Sequence, residues 1–131
     1  MIDEEKIRQV LKEAYKIVVP SKAEQEALIN FANKILNLAQ ENAKVYNAEA
    51  VLAGSVARDT WLPGKKEVDI FIRLPLYFSR EKLEEIGLII GKRVAEAIGA
   101  EYVIEYAEHP YVRLKFQDFQ ADIVPCYKIK S

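Results

Sequence analysis

The sequence predicts an α+β domain, and three observations support this class. Helical hydrophobic periodicity fills the amino-terminal part, strand-like segments dominate the rest, and one further helical segment interrupts the strands. Of the 131 residues, 50% are hydrophobic and 30% are charged, a composition typical of one soluble domain that buries its own core. We therefore expect a single domain over residues 1–131, with amino-terminal helices in 3–46 and a sheet in 50–127.

Two amphipathic helices are predicted before the first strand. Apolar residues recur at three- and four-residue spacing over residues 3–18, and Val19-Pro20 ends this helix. Ser21 followed by Glu24 fits a capping box, and the apolar face that comes next extends to about Tyr46. We expect both helices to cover one side of the sheet.

The remaining segments predict a mixed or mostly antiparallel sheet of about five strands. Residues 50–53 form a short apolar run, and residues 67–74 alternate with the period of a strand. Ser79 and Gly99 fit the N-cap and the C-terminal stop of a helix. Three strand-like segments follow, at 101–106, 111–116 and 121–127. The short connection 117–120 predicts that the last two pair as an antiparallel hairpin.

Charge and terminal composition narrow the class of protein. Lys plus Arg number 19 against 20 Asp plus Glu, a net charge of -1, so overall charge alone would not hold the chain on nucleic acid. The amino terminus is acidic rather than basic and apolar, and no segment is long and apolar enough to span a bilayer. We therefore expect a cytoplasmic protein with no membrane partner.

The sharpest chemical feature is a set of acidic residues in predicted strands. Glu67 and Asp69 are two positions apart in a strand, so their carboxylates lie on one face. Mg²⁺ prefers such hard oxygen ligands and offsets their mutual repulsion. If the terminal hairpin brings Asp122 beside them, three acids can hold two ions, as in phosphoryl or nucleotidyl transfer. The alternative is that these acids belong to a solvated strand face.

A second motif precedes the acids. Gly54-Ser55 follows an apolar strand, and residues 55–58 fit the first turn of a short helix. Backbone amides at a helix start bind phosphate, and Gly54 permits its close approach. The Ser55 hydroxyl and the Arg58 guanidinium add contacts to the same triphosphate. A Gly-Ser turn is common by itself, but with Glu-x-Asp in the next strand it predicts a nucleotide site.

Four segments together resemble a known family. The sequences GSVARDTWL at 54–62 and EVDIF at 67–71 resemble the signature of the nucleotidyltransferase superfamily that includes DNA polymerase β. The sequences YAEHPYV at 106–112 and ADIVPCY at 121–127 are similar to the catalytic head of class I, archaeal-type CCA-adding tRNA nucleotidyltransferases. The resemblance covers nearly the whole chain from Val51 onward and implies a polymerase β-like nucleotidyltransferase head.

The resemblance implies a reaction and assigns residues to it. The three catalytic, metal-binding carboxylates match Glu67, Asp69 and Asp122, with Asp122 placed to help activate an RNA 3′-hydroxyl. The triphosphate-binding turn and its basic companion match Gly54, Ser55 and Arg58. The implied reaction is attack of a tRNA 3′-hydroxyl on the α-phosphate of CTP or ATP, with release of pyrophosphate and two Mg²⁺ ions.

The sequence departs from this family in extent. Class I members continue into neck, body and tail regions that select the base and grip the tRNA, whereas this sequence stops at Ser131. We expect an isolated or minimal head, weak or inactive without those regions or a partner that supplies them. Two alternatives stay open: a stand-alone minimal nucleotidyltransferase that uses another acceptor with a partner chain, and a non-catalytic nucleotide-binding module.

Four further residues receive structural interpretations from the sequence. His109, next to Pro110, is interpreted as a turn or surface residue, and a single histidine excludes a histidine-built zinc site. Cys126 is the single cysteine, so it forms no internal disulfide, and its apolar strand predicts a buried thiol. Trp61 and Tyr111 are interpreted as packing residues.

Overall fold

The computed structural model describes residues 22–53 and 66–128. Within them, two α-helices and a 3₁₀-helix accompany a five-stranded sheet, which confirms the predicted α+β class. In chain order the elements are α1 (Lys22–Ala43), the 3₁₀-helix (Lys44–Tyr46), β1 (Glu49–Ala53), β2 (Glu67–Leu74), α2 (Arg80–Ile98), β3 (Glu101–Glu105), β4 (Tyr111–Phe116) and β5 (Phe119–Tyr127). The helix predicted over residues 3–18 and the Ser21 cap lie outside the described residues.

The sheet is mixed, as predicted, and its strands follow the order β1-β2-β5-β4-β3. The central pair, β2 and β5, is parallel, while every other neighbouring pair is antiparallel. Parallel strands need a crossover connection, and here α2, β3 and β4 all intervene between the two partners. The fold therefore brings together two strands that are far apart in sequence.

The core lies between the helices and one face of the sheet. Alternate residues of β2 are buried, namely Val68, Ile70, Ile72 and Leu74. They pack with apolar residues of α1 and α2 such as Ile35 and Ile90, both fully buried. This alternation is the strand pattern that the sequence predicts for residues 67–74.

Two glycines allow α2 to approach the sheet closely. A Cβ atom added at Gly91 would lie 2.5 Å from the Cβ of Val112 on β4. One added at Gly87 would lie 2.6 Å from the Pro125 ring on β5. Both positions therefore need glycine because of the close contact between helix and strands.

The ends of α2 agree with the sequence prediction. The Ser79 side chain accepts a hydrogen bond from the backbone N–H of Lys82 at 3.2 Å. Gly99 adopts a left-handed conformation, with φ of 71°, and closes the helix. The predicted N-cap and C-terminal stop are confirmed.

The terminal hairpin forms as predicted, but its turn is shorter. Phe116 pairs with Phe119, so only Gln117 and Asp118 separate the strands, and Gln117 has φ of 54°. The predicted start of the last strand at residue 121 is wrong by two residues. The ring of Phe119 stacks on Phe31 of α1, with centroids 4.8 Å apart, and this packing draws Phe119 into the sheet.

The two faces of the sheet differ in their environment. Within residues 22–53 and 66–128, the helices cover the face that carries the buried residues. The side chains that alternate with these on β2, β4 and β5 point to the opposite side and are half-buried or exposed. We call this side the open face; its central members are Asp69, Phe71, Arg113, Asp122 and Val124. No described helix is long and apolar enough to cross a membrane.

Candidate active site

The parallel pairing of β2 and β5 places two predicted site residues side by side. Asp69 and Asp122 are register partners, and both belong to the open face. Neighbouring strands lie about 4.8 Å apart, so the two carboxylates emerge from adjacent points of the sheet. Sequence alternation put Asp69 on this face, and the crossover topology brings Asp122 to it.

Glu67 lies on the same face but at the margin of this pair. It precedes Asp69 by two positions, is exposed, and has Gln120 as its register partner on β5. Among the described residues, no group of three or more His, Cys, Asp or Glu side chains is gathered closely enough to hold a metal ion. The structure therefore places Asp69 and Asp122 in register, with Glu67 two positions before Asp69 on the same face of β2.

Asp122 is bound by an arginine that the sequence analysis did not single out. Arg113, its register partner on β4, donates from Nε to Oδ1 at 2.9 Å and from Nη2 to Oδ2 at 3.2 Å. The Asp122 side chain is 15% exposed and that of Arg113 is 30% exposed. This is a bidentate, partly desolvated ion pair, the geometry that makes an arginine–carboxylate contact strong.

Arg113 has further partners on the open face. Its Nη2 also donates to the Tyr111 hydroxyl at 3.2 Å, and its guanidinium carbon lies 5.9 Å from the centre of the Tyr111 ring. Its Nη1 lies 3.5 Å from Oε1 of Glu105. The hydrogen bonds to Asp122 raise the pKa of Arg113 above its already high ordinary value, so the guanidinium stays charged.

The error in turn length explains why this pair was missed. With the predicted connection 117–120, Arg113 would face Val124 across the hairpin, two residues away from Asp122. The observed turn at Gln117 and Asp118 moves the register so that Arg113 faces Asp122. The strand alternation of residues 111–116 was a usable signal, because it puts Arg113 on the polar face.

A groove of about 490 Å³ lies beside Arg113 at the β3–β4 side of the sheet. Its lining consists of Ala100, Glu101, Tyr102, Val103, Arg113 and Lys115. Two of these side chains are cations and one is an anion. The groove thus extends the site from the acid pair toward β3 with a basic and partly apolar surface.

The predicted triphosphate-binding residues Gly54, Ser55 and Arg58 lie outside the described residues. The described strand that leads to them ends at Ala53, whose register partner is Asp69. The last described residue before the Gly54-Ser55 motif is therefore a strand neighbour of the acid pair. Trp61 also lies outside the described residues.

His109 serves as a contact between a loop and α2. Its Nδ1 lies 3.1 Å from Oε1 of Glu84, and Arg80 donates to the carbonyl of Glu108 in the same loop. The hydrogen bond with His109 lowers the pKa of Glu84. This arrangement agrees with the turn or surface role that the sequence indicates for His109.

Cys126 differs from its sequence interpretation, whereas Tyr111 agrees with the packing role predicted for it. Cys126 is half-buried rather than fully buried, because it alternates onto the open face of β5, and partial burial raises the pKa of its thiol. Tyr111 is also half-buried, and it supports the guanidinium of Arg113 through its ring and hydroxyl. Its role is thus packing against a charged residue of the site.

Fold and site together define a class of protein: an α+β domain whose mixed sheet presents paired carboxylates from adjacent parallel strands. The sequence matches the family model described as "Nucleotidyltransferase domain" over residues 32–131. The chain therefore belongs to the nucleotidyltransferase family.

Three similar curated proteins are archaeal. The chain is 40% identical over 127 residues to the "CCA-adding enzyme" of Pyrococcus horikoshii, covering 95% of this chain and 28% of that protein. It is 38% identical over 126 residues to that of Pyrobaculum aerophilum, covering 95% and 29%. It is 38% identical over 130 residues to that of Archaeoglobus fulgidus, covering 96% and 27%. The chain thus spans less than a third of the length of these relatives.

A solved structure has a similar fold. A chain of the "structure of GLD-2/RNP-8 complex" superposes with a TM-score of 0.54 at 8% identity, covering 92% of this chain and 39% of the other. At this identity the likeness shows the fold alone. The predicted polymerase β-like nucleotidyltransferase fold is confirmed by this likeness together with the family match.

Proposed function

We propose that this chain is the catalytic head of a tRNA nucleotidyltransferase of the CCA-adding type. Its reaction is attack of a tRNA 3′-hydroxyl on the α-phosphate of CTP or ATP, which releases pyrophosphate. The observation that supports it most is the register pairing of Asp69 with Asp122 on the open face. The CCA-adding relatives, among them one at 40% identity, favour this acceptor.

The donor set on the open face suits Mg²⁺. Asp69 and Asp122 offer hard oxygen ligands from adjacent strands, and Mg²⁺ is commonly held by one or two carboxylates plus substrate phosphates. Glu67, on the same face of β2, is the third ligand proposed from the sequence. When bound, the ions activate the attacking hydroxyl and neutralise the charge that develops on the phosphate.

The residues of this chain divide the work of the reaction. Gly54 and Ser55 bind the triphosphate through backbone amides and a hydroxyl, and Arg58 adds a charged contact. The segment begins after Ala53, a strand neighbour of Asp69, which favours placing the α-phosphate near the acid pair. Asp122 lies on the β5 side of that pair and helps to activate the 3′-hydroxyl.

In this proposal, neck, body and tail regions bind the tRNA and select between CTP and ATP. Further residues or a partner chain supply these regions. With a net charge of -1, the 131 residues alone are expected to bind tRNA weakly. We also propose that the protein works in the cytoplasm, where it meets its tRNA substrate.

A second candidate is a minimal nucleotidyltransferase that acts on another acceptor with a partner chain. The chain spans 28% of the Pyrococcus horikoshii relative, so the acceptor of that relative is itself only proposed for this chain. Both candidates use the same acid pair and differ only in the acceptor. A non-catalytic nucleotide-binding module is the outcome if nucleotide binds without transfer to any acceptor.

The test measures transfer and binding side by side. The full chain is incubated with Mg²⁺ or Mn²⁺, labelled CTP or ATP, and tRNA that lacks its terminal CCA. We expect weak incorporation, abolished by Asp69→Asn and by Asp122→Asn. Glu85→Gln is the matched control, because Glu85 is an exposed acid of α2 paired with Lys82.

Thermal melting with Mn²⁺ and CTP gives the binding readout. We expect a stabilising shift in the wild type and in Glu85→Gln, and none in the two aspartate variants. Absence of both incorporation and a melting shift in the wild type would contradict the proposal. Equal incorporation by the aspartate variants would contradict the assigned residues.

A further inference from the structure

The carboxylate of Asp122 has little freedom to rotate. Both of its oxygens accept hydrogen bonds from Arg113, at 2.9 Å and 3.2 Å, and its side chain is 15% exposed. For comparison, the surface pair Lys66–Asp118 is joined by one contact at 3.4 Å, with Asp118 82% exposed. The pair at Asp122 is thus both bidentate and shielded from water, and its geometry is fixed by two bonds.

Arg113 is itself held from the other side. Glu105 of β3 and the Tyr111 hydroxyl contact its guanidinium, and the Tyr111 ring lies beneath it. The contacts run from β3 through β4 to β5 along the open face. They involve strand residues only, so the sheet itself sets where the guanidinium lies.

We propose that Arg113 is a positioning residue that orients the Asp122 carboxylate for metal binding, and that Glu105 and Tyr111 hold Arg113 in place. This inference rests on the proposed function. An ionised carboxylate offers about four lone-pair sites, and a bidentate arginine uses one on each oxygen, which leaves one on each for the ion. Metal-ligating carboxylates are themselves hydrogen-bonded, and losing such a partner typically costs about 10–100-fold in metal affinity or activity.

The positive charge of Arg113 and its hydrogen-bond geometry predict opposite effects of its removal on metal affinity. A guanidinium repels a nearby divalent cation, so by charge alone its removal would strengthen metal binding. Glu105 offsets part of that charge, since it lies 3.5 Å from the Nη1 of Arg113. The set Glu105–Arg113–Asp122 keeps a net negative charge, and we expect the geometric effect to dominate.

The experiment measures Mn²⁺ binding to the full chain without nucleotide, after removal of metals with EDTA. Titration calorimetry or electron paramagnetic resonance gives the dissociation constant. We expect Arg113→Met and Arg113→Lys to weaken binding by about 10–100-fold, because lysine keeps the charge but not the bidentate geometry. Glu105→Gln should weaken it less, and the double variant Arg113→Met/Glu105→Gln should equal Arg113→Met alone.

Arg73→Met is the matched control. Arg73 pairs with Glu49 at 2.8 Å across β1 and β2, four residues along β2 from Asp69. Its loss removes an ion pair on the same face without touching Asp122, so Mn²⁺ affinity should stay unchanged. Circular dichroism checks that each variant is folded, and Arg113→Lys decides the positioning role should Arg113→Met fail to fold.

Each result has a defined meaning. Unchanged or tighter Mn²⁺ binding by folded Arg113→Met, or wild-type affinity in Arg113→Lys, would overturn the positioning role while leaving the proposed function intact. Wild-type affinity in Glu105→Gln would overturn the role of Glu105. A wild-type chain that binds no Mn²⁺ at millimolar concentration would overturn the metal site, and the inference with it.

Discussion

Replacing Asp122 with asparagine tests the ion pair and the metal site in one protein. In metal-free buffer the variant loses the charge of a carboxylate whose two oxygens bind Arg113. If Asp122 and Asp69 only repelled each other, Asp122→Asn would stabilise the metal-free chain. The geometry predicts the opposite, because the guanidinium then lacks its main counter-charge.

The size of the effect follows from burial. Exposed ion pairs contribute about 0–1 kcal/mol, and removing one partner of a fully buried pair costs about 3–5 kcal/mol. The side chains of Asp122 and Arg113 are 15% and 30% exposed, which places this pair between those limits. We therefore expect Asp122→Asn to lower the free energy of unfolding by about 1–3 kcal/mol. That corresponds to a fall of roughly 4–12 °C in melting temperature for a domain of this size.

Urea and thermal unfolding at pH 7 with EDTA measure this loss. Glu49→Gln is the control, since the Arg73–Glu49 pair is more exposed and should cost less than about 1 kcal/mol. A double-mutant cycle with Arg113→Met isolates the coupling between the two side chains. An Asp122→Asn protein as stable as the wild type, or more stable, in EDTA would refute the reasoning.

Three further predictions concern packing, a hydrogen bond and the thiol. Gly91→Ala should cost about 1–3 kcal/mol in urea unfolding because its Cβ meets Val112 at 2.5 Å, and Val112→Ala in the same chain should recover part of that loss. Tyr127→Phe should cost about 1 kcal/mol in the same assay, since the Tyr127 hydroxyl donates to the Phe78 carbonyl at 2.8 Å; an unchanged midpoint would contradict this. Cys126 has a raised thiol pKa, so iodoacetamide should modify it more slowly in the folded chain than in urea at pH 8. Equal modification rates in the folded and unfolded chain would contradict the burial of the thiol. As pH rises above the ordinary thiol pKa, the folded state should also lose stability, because the unfolded chain releases the thiol proton first.

Local sequence signals predicted the elements with the strongest patterns. The strand 67–74 and the cap residues Ser79 and Gly99 match the structure, because alternation and capping depend on residues close in the chain. Strand neighbours were harder to predict. The parallel pairing of β2 with β5 depends on contacts between distant segments, which no local pattern encodes.

In the candidate site, too, local patterns were predictable from the sequence and contacts between distant segments were not. Strand periodicity identified Glu67 and Asp69 as residues of one face, but the hairpin register that joins Arg113 to Asp122 depends on Phe119 packing against Phe31. The turn is two residues shorter than predicted, which changes the register neighbour of Asp122 from Lys115 to Arg113. The roles of Gly54, Ser55 and Arg58 stay predictions, because these residues lie outside the described part of the chain.

The central parallel pair also has a consequence for folding. Asp69 and Asp122 become neighbours only when β2 and β5 meet, and the intervening chain includes α2, β3 and β4. Closing so long a loop carries an entropic cost that must be met before the pairing is stabilising, so we expect this contact to form late. A partly folded chain would then display the hairpin β4–β5 without a complete acid pair, and the capacity to bind a metal would report that folding is finished.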